Sequence, residues 1–223
     1  MWERSELKQR GKFAFKANYW RCVLIAFILT AITAGSAANS KNESGISFED
    51  LKNFNGFEKT ILWGSVSVAF VVAILITVFI KNPLKVGCCG FFINNSYGPC
   101  DITALGDAFK GGNFLNIFLT MFLSNLFITL WSILLVFPGI MKSYSYRLVP
   151  YILADQPDME WKDVLKLSSS MMHGNRWAAF VLDLSFIGWY ILSGITGGLL
   201  GVFYVNPYKR ATDAELYKTL LIG

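Results

Sequence analysis

An all-α, polytopic helical membrane protein is the fold class this sequence predicts: about six transmembrane helices in three hairpin repeats, with amphipathic helices at the interface. Three observations carry that reading. The 223 residues are 54% hydrophobic and only 16% charged, against about 25% charged in ordinary soluble domains. Residues 60–80 and 114–137 are free of charge over 21 and 24 residues, and about 20 apolar residues cross a hydrocarbon core of roughly 30 Å. Basic residues gather at one end of the apolar runs, the mark of a cytoplasmic face.

The elements follow in order. Arg4, Lys8, Lys12 and Lys16 stand four apart and make one basic ridge beside an apolar strip of Leu7, Gly11, Ala14 and Phe15. That pattern predicts a helix in the cytoplasmic interface with its cations on lipid headgroups. The basic stretch is too long for the n-region of a signal peptide, so residues 19–38 read as a retained membrane helix. Residues 39–59 form the one large exterior loop, where Phe48, Leu51, Phe54 and Phe57 suggest a short surface helix. Further spans are expected at about 60–80, 114–137, 139–153, 176–192 and 195–207. Pro138-Gly139 breaks the third from the fourth, and Ser193-Gly194 with Gly197-Gly198 breaks the fifth from the sixth. The fourth and sixth reach only ~20 Å, so they either continue past their prolines or are partly re-entrant. Residues 159–172 present Trp161, Val164, Leu165, Ser168, Met171 and Met172 on one interfacial face, with Asp158 as N-cap. Thr212-Asp213-Ala214-Glu215 opens a C-terminal helix as a capping box, whose Leu216, Tyr217 and Leu220 rest on the membrane.

A motif ties these elements together. VFIKNP at 78–83 returns as VFYVNP at 202–207, and Asn18, Asn113 and Asn175 each precede an apolar run. Pro83, Pro150 and Pro207 each follow an aromatic residue by four positions. A single integral membrane domain, 1–223, thus divides into repeat-like units at about 3–83, 101–150 and 159–207. Both ends of every unit then lie on one side, which receives 16 basic residues against 4 on the other. The N- and C-termini are therefore expected in the cytoplasm. The net charge of +5 belongs to that asymmetry, not to nucleic acid.

One charge stands out. Asp183 lies about seven residues into the fifth span, some ~10 Å deep, where an unpaired carboxylate costs a few kcal/mol. Arg147, at similar depth before Pro150, is its natural partner. Asn116 and Asn125, with Ser124, are polar enough to join an intramembrane site, or to serve as interhelical hydrogen bonds. Four cysteines and one histidine lack metal-ligand spacing. No zinc-protease, nucleophile-elbow or Walker motif occurs, so no catalytic residue, metal or cofactor is expected.

Five blocks in order resemble one bacterial family: NPLKVGCCGFF (82–92), FPGIMKSYSYRLVPYILADQP (137–157), SSSMMHGN (168–175), LSFIGW (184–189) and VNPYKRATDAELY (205–217). This is domain-of-unknown-function family 975, of multi-pass inner-membrane proteins. A fainter likeness extends to the membrane domain of some glycerophosphodiester phosphodiesterases, without their hydrolase domain. The resemblance implies a helical protein of the bacterial cytoplasmic membrane and transfers no reaction and no functional residue. Two function classes stay open: a non-catalytic membrane protein binding lipid, a peptide or a partner protein, and a small transporter or channel using Asp183.

Overall fold

The computed structural model describes residues 2–38, 79, 81–98, 100–109 and 112–222. The expected span at 60–80, but for Phe79, and the exterior loop at 39–59 lie outside the described residues. Every regular element among those described is helical. In chain order they are α1 (Arg4–Ala17), α2 (Tyr19–Ala38), α3 (Asn82–Tyr97), a 3-10 segment (Ile102–Phe109), α4 (Phe114–Leu134), α5 (Val136–Ser145), α6 (Val149–Asp155), α7 (Trp161–Met171), α8 (Arg176–Ile195), a π-helical turn (Gly201–Val205) and α9 (Asn206–Ile222).

Asparagine interrupts the chain where expected. Asn18 adopts φ −137°, ψ 47°, and α1 and the start of α2 meet there at 104°. Its amide donates to Asn95 Oδ1 at 3.0 Å and to the Cys100 carbonyl at 2.9 Å, which fixes the bend. Asn113 and Asn175 immediately precede α4 and α8. The prolines act differently from expectation. Pro83, Pro150 and Pro207 sit in the first turn of α3, α6 and α9, where a missing N–H is harmless. They start buried helices rather than merely ending membrane ones. Likewise α4 stops at Leu135, in extended conformation, and Pro138 falls within the first turn of α5. The reversal after α8 uses Gly197 and Gly198 at φ 63° and 87°, a region closed to most side chains.

The packing inverts that of a soluble protein. The core is made by the amphipathic and proline-started helices: α9 packs on α1, α2 and α3, and α6 on α3 and α7. Leu7, Phe15, Phe91, Ile152, Val164, Leu216 and Tyr217 are buried there. The most apolar helices are peripheral. Leu115, Phe122, Leu130 and Ile133 on α4, and Trp177, Ile187, Ile191 and Ile195 on α8, are exposed. Only 22% of the apolar window of each is buried, a surface suited to lipid and not to water.

The structure departs from the sequence expectations at three points. Among the described residues two helices, α4 and α8, are long and apolar enough to cross a membrane, or three if the bent α1–α2 pair is one span. The expected six spans are not reached among the described residues: the expected fourth is cut into α5 and α6, the sixth becomes a π turn running into α9, and the expected span at 60–80 lies largely outside them. The faces assigned to the membrane interface on residues 159–172 and on the C-terminal tail are covered by protein: Val164, Ser168, Met172, Leu216 and Tyr217 are buried. The capping boundaries also move. Glu160, not Asp158, precedes α7, and Thr212 lies inside α9, its hydroxyl donating to the Tyr208 carbonyl at 2.9 Å.

Candidate functional site, a polar cavity at the proline-started helices

Six charged side chains among the described residues line a cavity of about 470 Å³ between α3, α4, α5, α6, α8 and α9. Its wall follows from local structure. The helix starts at Pro83, Pro150 and Pro207 lead inward, so residues just past each proline face the same space. Lys85 and Lys209, each two residues after its proline, both line it, as do Pro150 and Tyr151. Met121, Ser124, Asn125 and Ile128, three to four apart on one face of α4, close the other side.

A four-charge network occupies one end. Arg147 grips Asp183 with both terminal nitrogens, Nη1 to Oδ2 and Nη2 to Oδ1, each at 2.9 Å. Arg147 Nη2 also reaches Asp213 Oδ1 at 2.6 Å. Lys209 Nζ lies 2.9 Å from Asp183 Oδ1 and 3.4 Å from Asp213 Oδ2. The Tyr144 hydroxyl donates to Asp183 Oδ2 at 3.0 Å. Two cations and two carboxylates thus satisfy one another in a site where Arg147 and Asp213 side chains are 13% and 7% exposed. Burial pushes the Asp213 carboxyl pKa up, but Arg147, Lys209 and Arg210 outweigh it and hold it down, to about 2.

Two further cations line the cavity outside this network. Lys85 and Arg210 form no ion pair or side-chain hydrogen bond among the described residues. Burial depresses the Lys85 pKa and the Arg210 charge adds to that, against an opposing influence of Cys89. Tyr151 is 3% exposed and its hydroxyl faces the Cys89 sulfur, with no nitrogen or oxygen partner among the described residues. Four cations (Lys85, Arg147, Lys209, Arg210) therefore face two carboxylates (Asp183, Asp213) across one space.

Of the residues singled out from sequence, Asp183, Arg147 and Asn125 meet at this cavity. Asn116 does not: its amide donates to the carbonyls of Pro157 and Met159 at 2.9 and 2.7 Å, closing the turn before α7. On α1, Arg4, Lys12 and Lys16 are exposed. Lys8 is tied to α8 instead, donating to Ser185 Oγ at 3.2 Å and lying 4.7 Å from the centre of the Phe186 ring. The apolar strip of α1, with Leu7, Gly11, Ala14 and Phe15, is buried in the contact with α9, not in lipid. Sequence reasoning missed Lys85, Tyr144, Tyr151, Lys209, Arg210 and Asp213. A signal for two of them was present, since Lys85 and Lys209 hold equivalent places after the two Asn-Pro pairs. Among the described residues no group of three or more His, Cys, Asp or Glu side chains is arranged to hold a metal ion.

The fold and cavity define a helical protein with apolar helices fit for a membrane and a charged pocket beside them. Residues 133–222 match the family model described as a protein of unknown function, DUF975. This region spans the end of α4 through α9 and contributes every charged cavity residue except Lys85. No curated protein and no solved structure matches the chain.

Proposed function

We propose that this is a non-catalytic integral membrane protein that binds a membrane lipid, seating the lipid's polar end in the cavity and its chains along α4. One observation carries the proposal: the cavity wall and the exposed apolar surface belong to the same helix. Ser124, Asn125 and Ile128 line the cavity, while Phe122, Leu126 and Leu130 beside them are exposed. An amphiphile is the ligand whose two halves fit those two neighbouring surfaces. The setting is the bacterial cytoplasmic membrane, with a multi-pass chain and both termini cytoplasmic. The contact of α1 with α9 supports placing the two terminal segments on one side. The π-helical backbone at Phe79 and Lys81 and at Gly201–Val205, each leading into an Asn-Pro helix start, supports an internal duplication.

Native mass spectrometry of the purified protein tests the lipid reading. The wild type should retain lipid, and Asn125→Trp, which places an indole at the exposed cavity wall, should lose it. Retention unchanged by Asn125→Trp would refute the proposed seat. A transport reading is supported by the same cavity reaching Asp183. Against it, both Asp183 oxygens are already engaged by Tyr144, Arg147 and Lys209, which leaves no free acceptor pair for a substrate amine. Asp183→Asn in proteoliposome flux assays separates the two: a measurable wild-type flux that the substitution abolishes would favour transport.

A further inference from the structure

We propose that Lys85 and Arg210, with the Tyr151 hydroxyl, form a subsite for a phosphate group. The proposal rests on the lipid reading above and names the chemistry of the polar end that the cavity receives.

The division of labour among the four cations leads to it. Arg147 and Lys209 are neutralised by Asp183 and Asp213 at 2.6 to 3.4 Å. Lys85 and Arg210 make no direct ion pair among the described residues, although Arg210 feels the charge of Asp213, and both face the same cavity. The half-buried Lys85 cation, which meets the Arg210 charge and no carboxylate in contact, is kept in the fold at a cost unless an anion joins it. Nor is the subsite a loose surface patch. Its third member, Tyr151, is 3% exposed and has only the weakly accepting Cys89 sulfur beside its O–H, with no oxygen or nitrogen acceptor, a demand that buried structure normally satisfies more fully. A phosphate supplies what these residues lack: negative charge for the two cations and oxygen acceptors for the arginine fork, the ammonium and the phenol. A carboxylate offers fewer oxygens for three donors that line one space. A cationic headgroup would meet the excess of positive charge. Lys85 comes from α3, while Arg210 and Tyr151 come from α9 and α6, so the ligand would bridge helices that already pack together.

The phosphate can come from an anionic lipid or from a small free anion, and the test distinguishes these. Full-length protein, delipidated in neutral detergent, is titrated with phosphatidylglycerol, phosphatidylcholine and inorganic phosphate. Wild type, Lys85→Gln, Arg210→Gln, the double variant and Asn125→Trp are compared. Wild type should prefer phosphatidylglycerol over phosphatidylcholine by about tenfold or more. Each single substitution should weaken phosphatidylglycerol binding by about tenfold, as expected for loss of one charge-assisted hydrogen bond. The double variant should lose the preference. Competition by inorganic phosphate would identify a site for free phosphate. Binding of phosphatidylglycerol without such competition would identify a lipid headgroup held also by its chains. Either result supports the phosphate assignment.

Thermal unfolding of the ligand-free protein gives a second readout. Because burial and the Arg210 charge both disfavour the Lys85 cation, Lys85→Gln should unfold at or above the wild-type temperature. A fall of about 5 °C or more for Lys85→Gln, on the order of 1–2 kcal/mol at this size, would mark Lys85 as a structural cation and overturn the proposal. A preference that survives in the double variant would also overturn it. If lipid binding is then still lost in Asn125→Trp, the lipid reading stands and only the phosphate subsite fails. If neither variant changes lipid binding, both fail.

Discussion

Arg147→Met removes the centre of the ion network, and its cost can be worked from the geometry. Arg147 makes three charged hydrogen bonds, two to Asp183 and one to Asp213. Its loss leaves two carboxylates, 29% and 7% exposed, with Lys209 as their nearest remaining cation. Breaking a buried pair from one side costs about 3–5 kcal/mol. The partial exposure of Asp183 and the shared Lys209 place this case at the lower end, about 3 kcal/mol. For a chain of this length that is a fall in Tm of roughly 6–12 °C, read by thermal unfolding in detergent with an intrinsic-fluorescence or thiol-reactive dye signal. Arg147→Lys should recover only part of it, since an ammonium does not reproduce the two-oxygen fork. Adding Asp213→Leu to Arg147→Met leaves Asp183 and Lys209 as a neutral pair. The double variant should therefore be more stable than the sum of the singles by about 1–3 kcal/mol. A Tm change below 2 °C for Arg147→Met, or simple additivity in the double variant, would refute a coupled network.

Other consequences are independent of that one. The folded-state pKa of Asp213 is depressed from 3.8 to about 2, so its contribution is fully present above about pH 4 and is lost as pH falls toward 2. The size is roughly 2 kcal/mol. Asp213→Asn should flatten that part of a Tm profile measured from pH 5 to 2.5, and an unchanged profile would count against the assignment. A Cβ on Gly11 would stand 2.7–2.8 Å from Thr212 Oγ1, Cα and N, so Gly11→Ala must push α1 off α9. A loss of about 1–3 kcal/mol is expected, and a neutral substitution would show that this crossing can relax. Lys12 and Ile222 are both exposed. Lys12→Cys and Ile222→Cys should react with an impermeant thiol reagent from the same side of the membrane, and labelling from opposite sides would break the proposed topology.

The sequence revealed boundaries and faces better than it revealed neighbours. Asn18, Asn113 and Asn175 marked helix junctions correctly because an apolar run begins right after each. The Arg147–Asp183 contact was legible because a charge inside an apolar run needs a partner at its own depth. Periodicity also found the strip Leu7, Gly11, Ala14, Phe15, but a stripe states only that something apolar covers it. Here α9 covers it rather than lipid, and the close approach at Gly11 is the physical reason. Asp213 was hidden by its surroundings: Thr212 and Glu215 resemble a helix start, whereas the helix begins at Asn206. The six-span count is not reached among the described residues for a related reason. Apolar content at 139–153 and 195–207 was read as membrane, yet Ile152 and Leu153 are buried in the core, which needs apolar residues just as lipid does.

A structure of the protein in lipid nanodiscs containing phosphatidylglycerol tests the central claim most directly. The expected result is elongated density with its phosphate between Lys85, Tyr151 and Arg210 and its chains against Phe122 and Leu126. A cavity holding only water, with lipid ordered elsewhere on the protein, would contradict it.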